Sequence, residues 1–345
     1  MSGRVTSRAA VIAGFLADHG WGGAGRAPLA GDASARRYLR LCQGDRRALL
    51  MDVPPESGIA LAPYLVVADW LHGLGLSAPR VNASDEASGL ALIEDLGDAL
   101  FARRCETGAV PEPELYAAAI DLLAHLQQTA PPGPARGWSP PRYDAATLAR
   151  EARLAVEWYL PAASGRPLDP ETGAAFDALA AAATAPLLAV PPVAVLRDYH
   201  AENLLWLPGR AGHARVGLLD FQDLLIGHPA YDLASLLGDA RRDLDDPLRK
   251  AMTARYLART GADREALAYA AQALGAQRNL KIMGLFTRLC LRDGKPRYLA
   301  YLPRVWRNLA RDLAHPDLAP LRDWVAARLP APEPVLRARI AQAAA

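Results

Sequence analysis

Two aspartates and an asparagine lie close together in the sequence, within an otherwise apolar stretch from residue 193 to residue 223. Asp198 follows the run VAVL, Asn203 comes five residues later, and Asp220 lies inside a second run, VGLLDF. Carboxylate and amide oxygens are ligands that magnesium prefers, and phosphoryl transfer needs such a cation. An aspartate can also accept the proton of an attacking hydroxyl group. The spacing therefore predicts magnesium-dependent phosphoryl transfer.

The elements around these residues are predicted to be short strands. VAVL precedes Asp198, and the polar segment PGRAGHAR separates NLLWL from VGLLDF, which is typical of a β-hairpin. An aspartate and an asparagine five residues apart are weak evidence alone, since both residue types also cap turns. The flanking strands, and an Asp-Phe pair at hairpin distance, favour the catalytic interpretation over the capping one.

The whole chain predicts an α+β fold with two lobes. Strand patterns such as RRYLRLC and RRALLMDV, joined by Gln43-Gly44-Asp45 as a hairpin, dominate residues 1–94. Residues 95–98 form a predicted hinge, and residues 99–345 are mainly helical by periodicity. The sequence therefore indicates a small antiparallel sheet followed by a mainly helical lobe.

Composition excludes several other classes of protein. The formal net charge is +2 and no long basic run is present, so nucleic-acid binding is not expected. The stretch from Ala174 to Leu196 is broken by Asp177 and three prolines, which argues against a membrane span. Three widely separated cysteines indicate reduced thiols. We therefore expect a cytoplasmic, monomeric protein.

Several motifs spread over nearly the full length resemble the aminoglycoside phosphotransferase family, whose fold is similar to that of protein kinases. They are GDASARRYLR (31–40), MDVPPE (51–56), IEDLGD (93–98), RDYHAENL (197–204), DFQD (220–223), YDLASLL (231–237) and LKIMGLFTRLCLRDGKPRYL (280–299). Within the family the chain is most similar to the anomeric amino-sugar kinases of bacterial cell-wall recycling. The resemblance implies phosphorylation of the anomeric hydroxyl of N-acetylmuramate and N-acetylglucosamine to the α-1-phosphate.

The resemblance also implies roles for individual residues. Asp198 would be the catalytic base, and Asn203 and Asp220 would bind Mg²⁺. The nucleotide, ATP, would contact the turn carrying Gly31, Asp32 and Ser34, and the hinge residues Glu94, Asp95 and Leu96. Asp232 would brace the catalytic loop. Candidate contacts to an amino-sugar acceptor are His200, Glu202, Gln222, Asp223, Trp158, Arg288 and Arg292.

Three positions depart from the family pattern. Leu196 replaces a histidine that commonly braces the catalytic loop, and Gln222 follows Asp-Phe where protein kinases have glycine. The strand expected to carry a phosphate-binding lysine reads LLMD, and residues 1–94 contain no lysine at all. We expect an arginine, Arg36, Arg37 or Arg40, to supply this cation, because a guanidinium group grips phosphate bidentately.

Two alternatives to the amino-sugar kinase stay open. The acceptor could be an aminoglycoside, choline or another sugar. The charge of the helical lobe does not distinguish these acceptors, because the lobe contains many arginines as well as acidic residues. The missing lysine and Leu196 would also suit a nucleotide-binding pseudokinase, although the base and both metal ligands are present. Protein kinase activity is disfavoured, because the short segment LLIGHPAYDL after Asp223 leaves no room for an activation loop.

Overall fold

The structure is a computed structural model that describes residues 7–29 and 36–343, and these residues form two compact units. Unit 1 holds the described residues up to Leu100, together with Pro132–Pro140 and Leu204–Asp223. Unit 2 holds Phe101–Pro131, Pro141–Asn203 and the described residues from Leu224 onward. The two-lobe boundaries drawn from the sequence stay a prediction; in the structure, residues 95–100 group with the strands.

Unit 1 contains two antiparallel sheets. Numbered along the whole chain, its elements are α1 (Arg8–Asp18), β1 (Gly25–Pro28), β2 (Arg37–Gln43), β3 (Arg46–Asp52), α2 (Ala62–Gly73), β4 (Val81–Asp85), β5 (Leu90–Ile93), β7 (Leu204–Trp206) and β8 (Val216–Leu218). The larger sheet has five strands in the order β1-β2-β3-β5-β4. Strands β7 and β8 form a separate pair within the segment Leu204–Asp223.

One face of this sheet forms a core with α1. Alternate residues of a strand point to the same face, and Ala48 and Leu50 on β3 share one cluster with Leu90 and Leu92 on β5. Helix α1 contributes Phe15 and Leu16 to the same cluster. The predicted β2–β3 hairpin is confirmed, with Gln43 paired to Arg46 across a two-residue turn. Gly44 takes the left-handed conformation (φ 59°) that such a turn requires.

Unit 2 is mainly helical and contains one short antiparallel strand pair, β6 (Val193–Val195) with β9 (Leu225–Gly227). Its helices are α3 (Phe101–Thr107), α4 (Glu112–Gln127), α5 (Ala145–Ala152), α6 (Leu160–Ser164), α7 (Pro170–Thr184), α8 (Ala230–Leu237), α9 (Asp246–Thr260), α10 (Arg264–Leu291), α11 (Leu302–Asp312), α12 (Ala319–Arg328) and α13 (Pro334–Gln342). A π-helical turn, Ala155–Tyr159, joins α5 to α6 where the sequence pattern suggests one continuous helix.

Helix α10 is the centre of unit 2 and packs against α5, α8, α11 and the π-helical turn. It begins after Asp263, whose carboxylate accepts a hydrogen bond from Ala266 N. Gly284 allows the closest approach, since a Cβ atom there would lie 2.1 Å from the carbonyl carbon and oxygen of Leu154. The glycine in the LKIMGLF motif therefore has a packing reason.

One described stretch, Pro170–Ala189, is long and apolar enough to cross a membrane by length and composition alone. In the structure it is α7 followed by a 3₁₀ turn, and Phe176, Ala180 and Ala183 are among its buried side chains. A single stretch of this kind is weak evidence, because core helices of folded domains have the same composition.

Candidate active site

The loop that carries Asp198 starts with a strained turn. Arg197 has a φ of 69°, which is uncommon for a residue other than glycine, and Asp198 N donates a 2.9 Å hydrogen bond to Leu196 O across it. Such strain persists only when surrounding contacts hold the backbone in place.

Asp232, on α8, supplies two of those contacts. Its buried carboxylate accepts hydrogen bonds from Leu196 N (2.7 Å) and Arg197 N (2.9 Å), and Ser235 Oγ donates to Arg197 O. Burial raises the pKa of Asp232 to about 7, although both backbone donors favour the ionised form. These backbone contacts brace the loop in a protein that has Leu196 in place of the usual histidine.

A buried ionic network holds the side chain of Arg197. The Glu151 carboxylate, at the end of α5, accepts hydrogen bonds from Arg197 Nη2 and Tyr143 Oη and lies 3.1 Å from Lys281 Nζ. Burial raises the pKa of Glu151, but the charges of Lys281 and Arg197 outweigh it, and the pKa lies below its ordinary value. The carboxylate is therefore ionised and pairs with two cations.

Asp198 lies beside Arg278 of α10, and the charge of Lys281, on the same helix, also acts on it. Arg278 Nη2 is 3.8 Å from Asp198 Oδ1, and the Asp198 side chain is 39% exposed. Burial raises the pKa of the Asp198 carboxyl, but the positive charges of Lys281 and Arg278 overcome this effect and lower it. The carboxylate is thus ionised and reachable, as a general base must be.

The Asn203 amide is oriented by the same loop. Its Nδ2 donates a 3.0 Å hydrogen bond to the Asp198 carbonyl oxygen. Because a carbonyl oxygen can only accept, the amide nitrogen must face it, which leaves Oδ1 as the acceptor atom. An oxygen presented in this way fits a magnesium ligand.

Two acceptor candidates, His200 and Glu202, lie on the same loop. His200 is buried, and burial lowers the pKa of its imidazole to about 4, so the ring is neutral at pH 7. Its Nδ1 has no hydrogen-bond partner among the described residues. Glu202 is half-buried, and burial raises the pKa of its carboxyl.

The other acceptor candidates in unit 2 lie on different elements. Trp158 is half-buried in the π-helical turn. Arg288 lies on α10, 10 residues and about 15 Å along the helix axis from Arg278. Arg292 follows the end of the helix, 14 residues and about 21 Å from Arg278. Arg292 is exposed and pairs with its neighbour Asp293.

In unit 1, Asp220 follows β8 with a φ of 55° and is exposed. Gln222 Nε2 donates a 2.6 Å hydrogen bond to Asp220 Oδ1, and the Gln222 side chain is buried. The ring of Phe221 stacks on Tyr64 at 4.9 Å between centroids. Gln222, an acceptor candidate by sequence, thus orients Asp220, while Asp223 is exposed.

The arginines predicted to replace the missing lysine differ in their surroundings. Arg40 on β2 pairs with Asp95 (2.8 Å) and Asp98 (2.9 Å). Burial raises the pKa of Tyr38 to about 12; the charge of Arg36 lowers it and that of Asp220 raises it. Both charges act in the same way on Tyr64. The charges of Arg36 and Asp220 therefore act on the same two tyrosines.

The predicted nucleotide contacts fall in two places. Gly31, Asp32 and Ser34 lie outside the described residues. The predicted hinge residues follow β5 as irregular backbone: Glu94 N donates to Arg80 O, and the Glu94 carboxylate pairs with Arg210 at 2.6 Å. The Asp95 carboxylate accepts a hydrogen bond from Gly97 N, and Leu96 is half-buried.

No cluster of three or more histidine, cysteine, aspartate or glutamate side chains suited to a metal occurs in the described chain. The oxygen atoms of Asp220 and Asn203 nevertheless suit magnesium, which is usually bound through one or two protein ligands plus substrate phosphates.

The chain belongs to the phosphotransferase enzyme family, whose model matches residues 26–270. Its fold is that of choline kinases and aminoglycoside phosphotransferases. The choline kinase LicA from Streptococcus pneumoniae has a TM-score of 0.59 at 14% identity, covering 87% of this chain and 98% of its own. The ADP-bound aminoglycoside phosphotransferase APH(2'')-Ib has a TM-score of 0.55 at 14% identity, covering 83% of this chain and 92% of its own. The predicted kinase-like fold is confirmed.

Curated relatives match over most of the chain at higher identity. A protein of Caulobacter vibrioides named N-acetylmuramate/N-acetylglucosamine kinase is 41% identical, over 92% of this chain and 96% of its own. A protein of Pseudomonas aeruginosa with the same name is 36% identical, over 90% of this chain and 91% of its own.

The residues that surround Asp198 and Arg197 were not predicted from the sequence. Glu151, Arg278 and Lys281 are distant from the catalytic loop in sequence. One signal was present: α10 carries Gln277, Arg278, Asn279 and Lys281 within an otherwise apolar run, and polar residues in the middle of a buried helix are usually paired or functional.

Proposed function

We propose that the protein is an ATP-dependent kinase that phosphorylates the anomeric hydroxyl of N-acetylmuramate and N-acetylglucosamine, giving the α-1-phosphate. The choice of acceptor rests on the 41%-identical relative that carries this name over nearly the full length. The chemistry is supported by Asp198, whose ionised and partly exposed carboxylate sits on a braced loop. Such a kinase would act in the cytoplasm, as a monomer, on sugars released from peptidoglycan.

In this proposal Asp198 orients the C1 hydroxyl and accepts its proton as the oxygen attacks the γ-phosphate. The Asp232 and Ser235 contacts keep the backbone of the loop in its strained form, so that the carboxylate is in place before the sugar arrives. Asn203 and Asp220 are each proposed as Mg²⁺ ligands. The metal, when bound, would neutralise charge on the β- and γ-phosphates.

For the nucleotide we propose that Arg36 takes the place of the missing lysine. Arg40 is paired with two carboxylates, whereas Arg36 shares its surroundings with Asp220. Arg36→Ala should raise the Michaelis constant for ATP, and Arg37→Ala is the matched control from the adjacent position. No change for Arg36→Ala would refute this assignment. We further propose that the backbone of Asp95 and Leu96 meets adenine, because Glu94 N is already bonded.

A panel of acceptors tests the proposal. The purified protein would be incubated with ATP, Mg²⁺ and, separately, N-acetylmuramate, N-acetylglucosamine, their 1-O-methyl glycosides, an aminoglycoside or choline. We expect ADP release and a sugar 1-phosphate only with the free amino sugars. Phosphorylation of a 1-O-methyl glycoside would refute the anomeric assignment. Transfer only to an aminoglycoside or choline would show that this compound, and not an amino sugar, is the acceptor. Absence of transfer to any acceptor with intact nucleotide binding would favour a pseudokinase.

A further inference from the structure

Arg278 is a buried cation beside Asp198. It lies in the middle of α10 and is 7% exposed, and its Nε is buried without a hydrogen-bond partner among the described residues. Its contact with Asp198 is 3.8 Å, too long for a hydrogen bond. A guanidinium carries five N–H donors, and burying them without acceptors is costly. The position therefore lacks an oxygen-rich partner.

The neighbouring cations are engaged elsewhere. Lys281 lies 3.1 Å from the Glu151 carboxylate, and Arg197 donates to the same group. Arg278 is thus the cation beside Asp198 whose donors remain for a ligand. The Asp198 side chain itself is 39% exposed, so this side of the loop is open to solvent.

We propose that Arg278 is a substrate-binding residue, whose guanidinium donates hydrogen bonds to an anionic oxygen group of the reactants beside Asp198. This assignment rests on the proposed sugar-kinase function. Two groups have the required chemistry: the transferring phosphoryl group, which is common to both sugars, and the lactyl carboxylate, which N-acetylmuramate has and N-acetylglucosamine lacks. Both are planar or tetrahedral oxyanions that a guanidinium binds through two parallel N–H groups.

The test compares Arg278→Lys and Arg278→Met with the wild type, measuring kcat and KM for each sugar. Arg264→Met, an exposed arginine at the start of the same helix, is the matched control. We expect Arg278→Met to lose about 10- to 100-fold in kcat/KM, the effect of one charge-assisted hydrogen-bonded contact. Arg278→Lys keeps the charge without the planar fork, so it should recover part of that loss.

The two sugars separate the sources of the oxyanion. A rise in KM for N-acetylmuramate alone identifies the carboxylate, and an equal fall in kcat with both sugars identifies the phosphoryl group; either supports the proposal. If Arg278 were only structural, both variants would have a lower melting temperature and Arg278→Lys would not recover kcat/KM. That result would overturn the proposal. So does wild-type activity of both variants with both sugars. If the wild type itself phosphorylates neither sugar, the proposed function fails first, and this assignment fails with it.

Discussion

Two segments carry the residues that match phosphotransfer chemistry, and both bend through a non-glycine residue in the left-handed region. Arg197 (φ 69°) precedes Asp198 in unit 2, and Asp220 (φ 55°) follows β8 in unit 1. Their supports differ. The first segment is held by a buried carboxylate on its backbone and an ionic network on its side chain. In the second, the exposed Asp220 carboxylate accepts a hydrogen bond from the Gln222 amide.

This difference suits the two proposed tasks. A general base must be fixed relative to the hydroxyl that it deprotonates, because small displacements cost much of the rate. A metal ligand can adjust as the metal and nucleotide bind, and the exposed position of the Asp220 carboxylate allows this. We therefore expect substitutions around Asp198 to act on turnover and stability, and substitutions around Asp220 to act on the metal and nucleotide.

The largest effect should follow Asp198→Asn, which removes the proposed base but keeps the shape of the side chain. Turnover should fall by about 10³-fold, the usual contribution of a positioned base. ATP affinity, measured by titration with the non-turning-over variant, should change little. Turnover near that of the wild type would show that Asp198 is not the base.

Next in size is Glu151→Leu, which removes a buried carboxylate and leaves the half-buried side chains of Arg197 and Lys281 without it. Breaking a buried ion pair from one side costs about 3–5 kcal/mol of unfolding free energy, measured by denaturant titration. Glu157→Leu is the control, since Glu157 pairs with Arg153 at the surface and should cost under about 1 kcal/mol. Equal losses for both would contradict the distinction between buried and exposed support.

Asp232→Asn tests the backbone support through pH. The folded-state pKa of about 7 lies above that of an unfolded carboxyl, so the folded protein binds more protons between these values. Its stabilising contribution is complete below about pH 4 and is lost as pH rises through about 7, an amount on the order of 2–4 kcal/mol. We expect the asparagine variant to lack this slope when unfolding is measured from pH 4 to 8. Parallel curves would exclude the raised pKa.

The smallest effect should come from Gln222→Leu, which removes the 2.6 Å hydrogen bond to Asp220. The net loss of one such bond is about 1 kcal/mol, or roughly fivefold in the half-saturating Mg²⁺ concentration. Turnover at saturating Mg²⁺ should stay close to that of the wild type. A large fall in saturated turnover would instead give Gln222 the acceptor-binding role predicted from the sequence.

The local sequence pattern was enough to predict many helices and strands, and the motif that carries Asp198, Asn203 and Asp220. The turn at Gly44 and the Asp263 cap depend on neighbouring residues only, so the hairpin and the start of α10 were predictable. The sequence also determined the family, because Asp198, Asn203 and Asp220 keep the family's order and flanking strands. The roles of these residues stay predictions.

Tertiary structure decided what surrounds Asp198. Glu151, Asp232 and Arg278 reach residues 196–198 from three different helices, 46, 36 and 80 residues away in the sequence. Such contacts depend on how α5, α8 and α10 pack, and periodicity shows that a helix is buried but not which side chain it brings to a loop. The π-helical turn and the close approach at Gly284 arise from the same packing. For that reason the candidate residues could be predicted from the sequence, whereas the side chains that contact them were identified only from the tertiary structure.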